Sequence, residues 1–141
     1  MGKAKKAVVD TSVMVKWVNS ADEKYLDKAD KLRMEVKSGK VKLFAPELAK
    51  YELGNVLINK KLDLPMVCES LSTIFASPVK FVVLDENMAD KSMEIAMKAG
   101  ITFYDAVFLG LAERLRAIVI TDNIKDMGKY RGVRVIDLKN Y

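Results

Sequence analysis

The sequence AVVDTSV, residues 7–13, passes from an apolar strand to a polar helix start within a few residues. The apolar run predicts a short buried strand over 7–10, and the hydroxyls of Thr11 and Ser12 suit the first turn of a helix. A second apolar run, AIVIT at residues 117–121, is followed by Asp122. An aspartate therefore stands where each of two predicted strands stops.

The rest of the chain alternates in the same way between short apolar runs and amphipathic segments. This alternation predicts an α/β fold with one domain over 1–141, built as a doubly wound, mostly parallel sheet flanked by helices. Further strands are expected over 42–45, 81–84 and 133–138. Helices are expected over 13–17, 21–36, from Pro46 to about Lys60, from Leu64 to about Ser77, from Asp85 or Asn87 to Gly100, and from Thr102 to Leu115.

Composition excludes several kinds of chemistry. The chain has no histidine, which removes Ser-His-Asp and Cys-His catalysis and the commonest zinc ligand. Its single cysteine, Cys68, cannot form an internal disulfide and is expected to be buried. The apolar runs are too short to span a bilayer and no secretory signal is evident, so we expect a cytoplasmic protein with no membrane partner.

Five acidic residues are candidates for a functional site: Asp10, Glu52, Asp105, Asp122 and Asp126. Asp10 and Asp122 follow strands, and acids at strand ends of an open α/β sheet meet in one crevice. Glu52 and Asp105 each lie on the apolar face of a predicted helix, so both carboxylates are expected to point toward the core. Structural roles remain open, because Asp10 could cap a helix and Asp105 fits a capping box with Thr102.

Carboxylates gathered in one crevice repel each other unless protons or cations neutralise them. Oxygen ligands suit Mg²⁺ or Mn²⁺ better than zinc or copper. The pattern therefore predicts a divalent metal site. Lys and Arg outnumber Asp and Glu by 24 to 19. If several acids lie inside the metal site, the outer surface is more positive than this total suggests, which favours binding of a polyanion. An ordinary lysine-rich surface explains the same charge.

Four segments resemble the PIN domain, and more narrowly the VapC-like ribonuclease toxins: VVDTSV (8–13), PELAKYELGNVL (46–57), TFYDAVFLGLA (102–112) and VITDNIKDM (119–127). They occur in the family's order along nearly the whole chain. The resemblance implies a metal-dependent endoribonuclease with Asp10, Glu52 and Asp105 as the shared acids. It also implies Mg²⁺ or Mn²⁺ as cofactor, an RNA substrate, a homodimer and a cognate antitoxin.

The last segment departs from the pattern of many relatives, in which the acid stands two residues after the threonine. That position is Asn123 here, with Asp122 before it and Asp126 after it. The fourth ligand therefore stays open among these three residues. We expect Asp10 and Asp105 to bind metal directly, Glu52 to bind metal or orient the attacking water, and hydroxyls of Ser12 and Thr121 to orient carboxylates.

Two other functions fit parts of the pattern. A non-catalytic PIN-like module that binds RNA or acts as a scaffold would keep the fold and the basic surface, and the departure at Asn123 favours it. A phosphoryl-transfer enzyme would use Asp10 as nucleophile, but Asp10-Thr11-Ser12 lacks a second acid two residues on.

The basic residues expected to contact phosphate are Arg114, Arg116, Lys125, Lys129, Arg131 and Arg134.

Overall fold

The computed structural model describes residues 3–141; Met1 and Gly2 of the predicted domain lie outside them. Five strands form one sheet in which every neighbouring pair is parallel, in the order β3-β2-β1-β4-β5. The predicted parallel sheet is confirmed. The strands are β1 (Lys5–Val9), β2 (Val41–Pro46), β3 (Lys80–Val82), β4 (Ile118–Thr121) and β5 (Val135–Asp137).

The strand order changes direction between β1 and β4. From β1 the chain adds β2 and β3 on one side, and then places β4 and β5 on the other. Val9 pairs with Ile120 in the register of β1 and β4, and the main-chain N–H of Asp10 donates to the carbonyl oxygen of Ile120 over 3.0 Å. Asp10 and Asp122 are thereby brought to the same edge, at the switch point where α/β sheets bind ligands.

Helices connect the strands and cover the sheet. The helix α6 packs against β1 and β2, and α5 packs on α6; α1 contacts β4 and α2 contacts β2. A 3₁₀ turn over Leu138–Asn140 follows β5. The helices are α1 (Thr11–Val18), α2 (Leu26–Lys37), α3 (Leu48–Ile58), α4 (Leu64–Phe75), α5 (Glu86–Ala99), α6 (Phe103–Leu115) and α7 (Ile124–Met127).

The core lies between the sheet and these helices. Residues 7–9 of β1 are fully buried, as expected for the central strand of a parallel sheet covered by helices. Seven consecutive residues of α6, from Ala106 to Ala112, are also buried. This burial places the first turn of α6, which carries Asp105, directly beside the sheet edge.

Several predicted boundaries are wrong. The strand expected over 133–138 is confined to Val135–Asp137, and the strand expected over 7–10 runs over Lys5–Val9. The helix expected over 21–36 begins only at Leu26, because Asp22 and Tyr25 take left-handed backbone conformations that a helix cannot include. Pro46 is the last residue of β2, and α3 begins at Leu48. The strand expected over 81–84 ends at Val82, and the side chains of Val83 and Leu84 are exposed.

The prediction that Cys68 is buried is also wrong, because this residue lies on the exposed side of α4. Among residues 3–141, no helix taken singly combines the length and apolarity needed to cross a bilayer. The helices α5 and α6 together reach the required length and apolarity, but a bend of 118° separates them.

Candidate active site

Asp10 stands at the end of β1 and caps α1. Its Oδ1 accepts a hydrogen bond from the main-chain N–H of Thr11 over 2.9 Å. Its Oδ2 accepts from the hydroxyls of Ser12 and Thr121, both over 2.8 Å. The capping role and the hydroxyl contacts expected from the sequence are therefore both present. Because Asp10 is only 7% exposed, these three donors hold its carboxylate in one orientation.

Glu52 reaches the same site from the middle of α3. The hydroxyl of Thr11 donates to its Oε1 over 2.8 Å. Thr11 thus bridges Asp10, through its main-chain N–H, and Glu52, through its side chain. The half-buried position of Glu52 agrees with its place on the inward face of the helix.

Asp105 lies in the first turn of α6. The hydroxyl of Thr102 caps this helix by accepting from the main-chain N–H of Asp105 over 3.1 Å, which is one half of the predicted capping box. The carboxylate of Asp105 is half-buried and close enough to Asp126 of α7 to be repelled by it. Asp126 itself accepts from the amide of Asn123 over 3.3 Å and lies 3.5 Å from Lys129.

Thr11 contacts both Asp10 and Glu52, and the pKa is raised for each of the three carboxyl groups of Asp10, Glu52 and Asp105. Burial raises the pKa of Asp10, and the charge of Asp105 raises it further, against the hydrogen bonds of Thr121, Ser12 and Thr11. Burial also raises the pKa of Glu52, with added repulsion from Asp10 and Asp105. Burial and the charge of Asp126 raise the pKa of Asp105. The site therefore carries an excess of negative charge.

Asp122 takes a different environment. Its Oδ2 lies 2.9 Å from Nζ of Lys16, a lysine whose side chain is 1% exposed. The structure thus joins Asp10 to Glu52 through Thr11, and the charge of Asp105 acts on both. Asp126 acts on Asp105, whereas Asp122 is paired with the buried Lys16.

The donor set fits a hard divalent cation in its chemistry, since it consists of carboxylate and hydroxyl oxygens with excess negative charge. Within residues 3–141 no three aspartate, glutamate or cysteine side chains are drawn together as a ready-made metal cage. The side chains that would hold a cation, if they move closer together, are those of Asp10, Glu52, Asp105 and Asp126. Neutralising their repulsion favours such a rearrangement.

The family model for the PIN domain matches residues 7–131, a range that contains all five candidate acids. The chain belongs to the PIN-domain family. The exonuclease VapC9 of Pyrobaculum aerophilum is 28% identical over 95 residues, which cover 64% of this chain and 69% of that protein.

Two solved structures resemble this PIN domain over most of their length. The crystal structure of PAE2754 from Pyrobaculum aerophilum is 25% identical, covers 96% of this chain and 91% of its own, and gives a TM-score of 0.67. A toxin-antitoxin complex from Klebsiella pneumoniae contains a chain that is 18% identical, with coverage of 94% and 97% and a TM-score of 0.65. The second comparison supports the fold.

Two residues of the PIN-domain site were not recognised as functional candidates from the sequence. Thr11 was predicted only as a helix-start residue, and its bridge to Glu52 joins segments far apart in the chain. Lys16 carried a recognisable signal, because it interrupts the apolar residues Val13, Met14, Val15 and Trp17 of α1. A lysine on a buried helix face requires an anionic partner.

The predicted phosphate-binding residues are only partly available in the described structure. Arg114 lies 2.7 Å from Asp85 and Lys129 lies 3.5 Å from Asp126, so both cations already have acidic partners. The remaining four are exposed and have no ion pair within residues 3–141: Arg116, Lys125, Arg131 and Arg134.

Proposed function

We propose that this PIN-domain protein is an endoribonuclease that uses Mg²⁺ or Mn²⁺ to hydrolyse RNA phosphodiesters, and that it is the toxin of a toxin-antitoxin pair acting in the cytoplasm. One observation carries the proposal. Thr11 joins Asp10, which follows β1, to Glu52 of α3 at the carboxyl edge of the sheet, and the charge of Asp105 raises the pKa of both acids. The family match and the likeness to VapC9 support the same reaction class.

In this proposal Asp10 and Asp105 hold the metal directly, and Glu52 holds it or orients the attacking water. A bound Mg²⁺ or Mn²⁺ would make a water more acidic and would neutralise charge on the phosphoryl oxygens. The hydroxyls of Thr11, Ser12 and Thr121 keep the carboxylates oriented, as the neighbours of metal ligands commonly do.

The sequence leaves the fourth ligand open among Asp122, Asn123 and Asp126. The pairing of Asp122 with Lys16 favours Asp126, whose charge already acts on Asp105 and whose carboxylate lies at the more exposed rim. Asn123 donates its side-chain amide to Asp126 and so helps to place it. Asp126 therefore completes the proposed ligand set, and Asp122 keeps a supporting position.

The decisive experiment uses a circular single-stranded RNA, a linear RNA and a linear single-stranded DNA, each with Mn²⁺, with Mg²⁺ or with EDTA. An endonuclease cuts the circle, whereas an exonuclease, as VapC9 is named, cuts only chains with ends. We expect cleavage of both RNAs with metal and none with EDTA. Metal-independent RNA binding without cleavage would instead support the non-catalytic module.

We further propose that the protein forms a homodimer and binds a cognate antitoxin. A cavity of about 470 Å³ opens between α3 and α4, and the apolar side chains of Tyr51, Ile58 and Phe75 on its walls are 64–72% exposed. Exposed apolar clusters of this kind mark protein interfaces. Light scattering coupled to size exclusion tests the dimer, and a purely monomeric protein at micromolar concentration would contradict it.

A further inference from the structure

Lys16 lies between two acidic side chains beneath the acidic site. Its Nζ is 2.9 Å from Oδ2 of Asp122 and 3.0 Å from Oε1 of Glu23. The side chain of Lys16 is 1% exposed, so its charge is stabilised by these partners rather than by solvent.

A second lysine completes the arrangement without touching the site. Nζ of Lys60 contacts Oε2 of Glu23 and the carbonyl oxygen of Ala21, and it makes no ion pair with Asp122. The two lysines and two acids balance one another. The negative charge of Asp122 is therefore matched by Lys16, and the remaining acids keep their excess charge.

Asp122 connects this ion-pair network to Asp10. The main-chain N–H of Asp122 donates to Oγ of Ser12 over 3.0 Å. Ser12 in turn donates to Oδ2 of Asp10 over 2.8 Å. A continuous set of contacts therefore runs from the Lys16 ammonium through Asp122 and Ser12 to the carboxylate of Asp10.

We propose that Lys16 is a positioning residue for the metal site: by anchoring Asp122, it places Ser12 and thereby orients the carboxylate of Asp10 toward the bound cation. This inference rests on the proposed function, because it requires the acidic site to bind a divalent metal. It assigns a role to a buried lysine whose ion-pair partners are Asp122 and Glu23.

The test measures the Kd of Mn²⁺ by isothermal titration calorimetry, with no RNA present. Lys16→Met is expected to raise the Kd about tenfold. This is the lower end of the loss in metal affinity that usually follows when a group that orients a metal ligand is removed. Ser12→Ala is expected to raise it by a similar factor. Because Lys16 and Ser12 act through one set of contacts, the Kd of the double variant should also be about tenfold above that of wild type. Independent effects would instead raise the Kd about a hundredfold.

Lys60→Met is the matched control. It removes a lysine of the same network that also pairs with Glu23, but it leaves the contact of Lys16 with Asp122 in place. We expect it to lower the melting temperature and to leave the Kd of Mn²⁺ unchanged. A purely structural role for Lys16 would make Lys16→Met behave in the same way.

The results separate the two proposals. If wild type does not bind Mn²⁺, the proposed function fails. If wild type binds and Lys16→Met binds equally well or more tightly, the positioning role of Lys16 is overturned. Should Lys16→Met fail to give a native circular dichroism spectrum, Lys16→Leu replaces it, since it also offers no donor to Asp122 and has a shorter apolar side chain for the same buried space. A Kd equal to that of wild type then overturns the proposal equally.

Discussion

Thr11 donates its hydroxyl hydrogen to Oε1 of Glu52 over 2.8 Å, across a sequence separation of 41 residues. The same residue donates its main-chain N–H to Asp10. One threonine therefore fixes the relative position of two acids, one directly after β1 and the other in α3. This contact also opposes the rise in the pKa of Glu52 that burial causes.

Thr11→Val should separate the two acids while leaving the main-chain cap of Asp10 intact. Removing the donor to a carboxylate costs about 1.5–3 kcal/mol in typical cases. We expect a lower melting temperature and a reduction of about tenfold in RNA cleavage. Thr11→Ser is the matched control, because it keeps the hydroxyl. Equal activity of the valine and serine variants would show that the bridge to Glu52 has no functional role.

Asp105→Asn should abolish RNA cleavage and preserve the fold. The substitution removes a charge from the acidic site, while the main-chain N–H of residue 105 keeps its bond to Thr102. Asp90→Asn is the control, because Asp90 is an exposed aspartate on the neighbouring helix α5. Cleavage is measured with the circular RNA. Wild-type rates for Asp105→Asn would remove this residue from the catalytic site.

The pH dependence of stability should show the repulsion among the acids in metal-free protein. Folding raises the pKa of Asp105, so the folded state favours the protonated form of this carboxyl group. The resulting stabilisation is fully present below the ordinary aspartate pKa of 3.8 and is lost as the pH rises through the pKa that Asp105 has in the folded protein. Asp105→Asn should therefore melt at a higher temperature than wild type at neutral pH.

The stabilising effect of Asp105→Asn should vanish below pH 3.8, where wild-type Asp105 is protonated in both states. Added Mn²⁺ should reverse the order at neutral pH, because metal stabilises the wild-type folded state and binds the variant less. Differential scanning calorimetry with and without EDTA measures both effects. A variant that melts below wild type in metal-free neutral buffer would contradict the predicted repulsion.

Asp122 and Asp126 should differ in how they couple to Lys16. In the Lys16→Met background, Asp122→Asn should change the Kd of Mn²⁺ little further, because the anchor of Asp122 is already lost. Asp126→Asn should weaken Mn²⁺ binding in wild type and in Lys16→Met by the same factor, as expected for independent groups. The reverse pattern would identify Asp122 as the ligand.

Ser92→Ala should stabilise the protein. Ser92 is fully buried in α5, and its hydroxyl is the buried side-chain polar group without a hydrogen-bond partner in residues 3–141. Leaving such a group unsatisfied costs about 1–3 kcal/mol. We expect a gain of about 1 kcal/mol in the free energy of unfolding, measured by urea denaturation. A destabilised variant would show that the hydroxyl fills necessary space against Gly110.

Much of the fold follows from local sequence patterns. The apolar runs before Asp10 and Asp122 predict the two strands whose ends meet, since a strand buried on both faces needs continuous apolar residues. The spacing around Glu52 and Asp105 places both on inward helix faces. The positions of the helix starts at 21 and 46 were wrong, because left-handed residues and a strand-terminal proline depend on how the chain packs.

The amino-acid sequence alone determined the order of strands and helices and the residues from which an acidic site could form, because periodicity and capping act within a few positions. Only the tertiary structure decided which of the acids belong to the acidic site and which one pairs with a lysine. It placed Asp122 against the buried Lys16 and Thr11 against Glu52. These contacts join segments distant in the chain, and in a buried site a difference of one side-chain length separates an ion pair from a cluster of like charges.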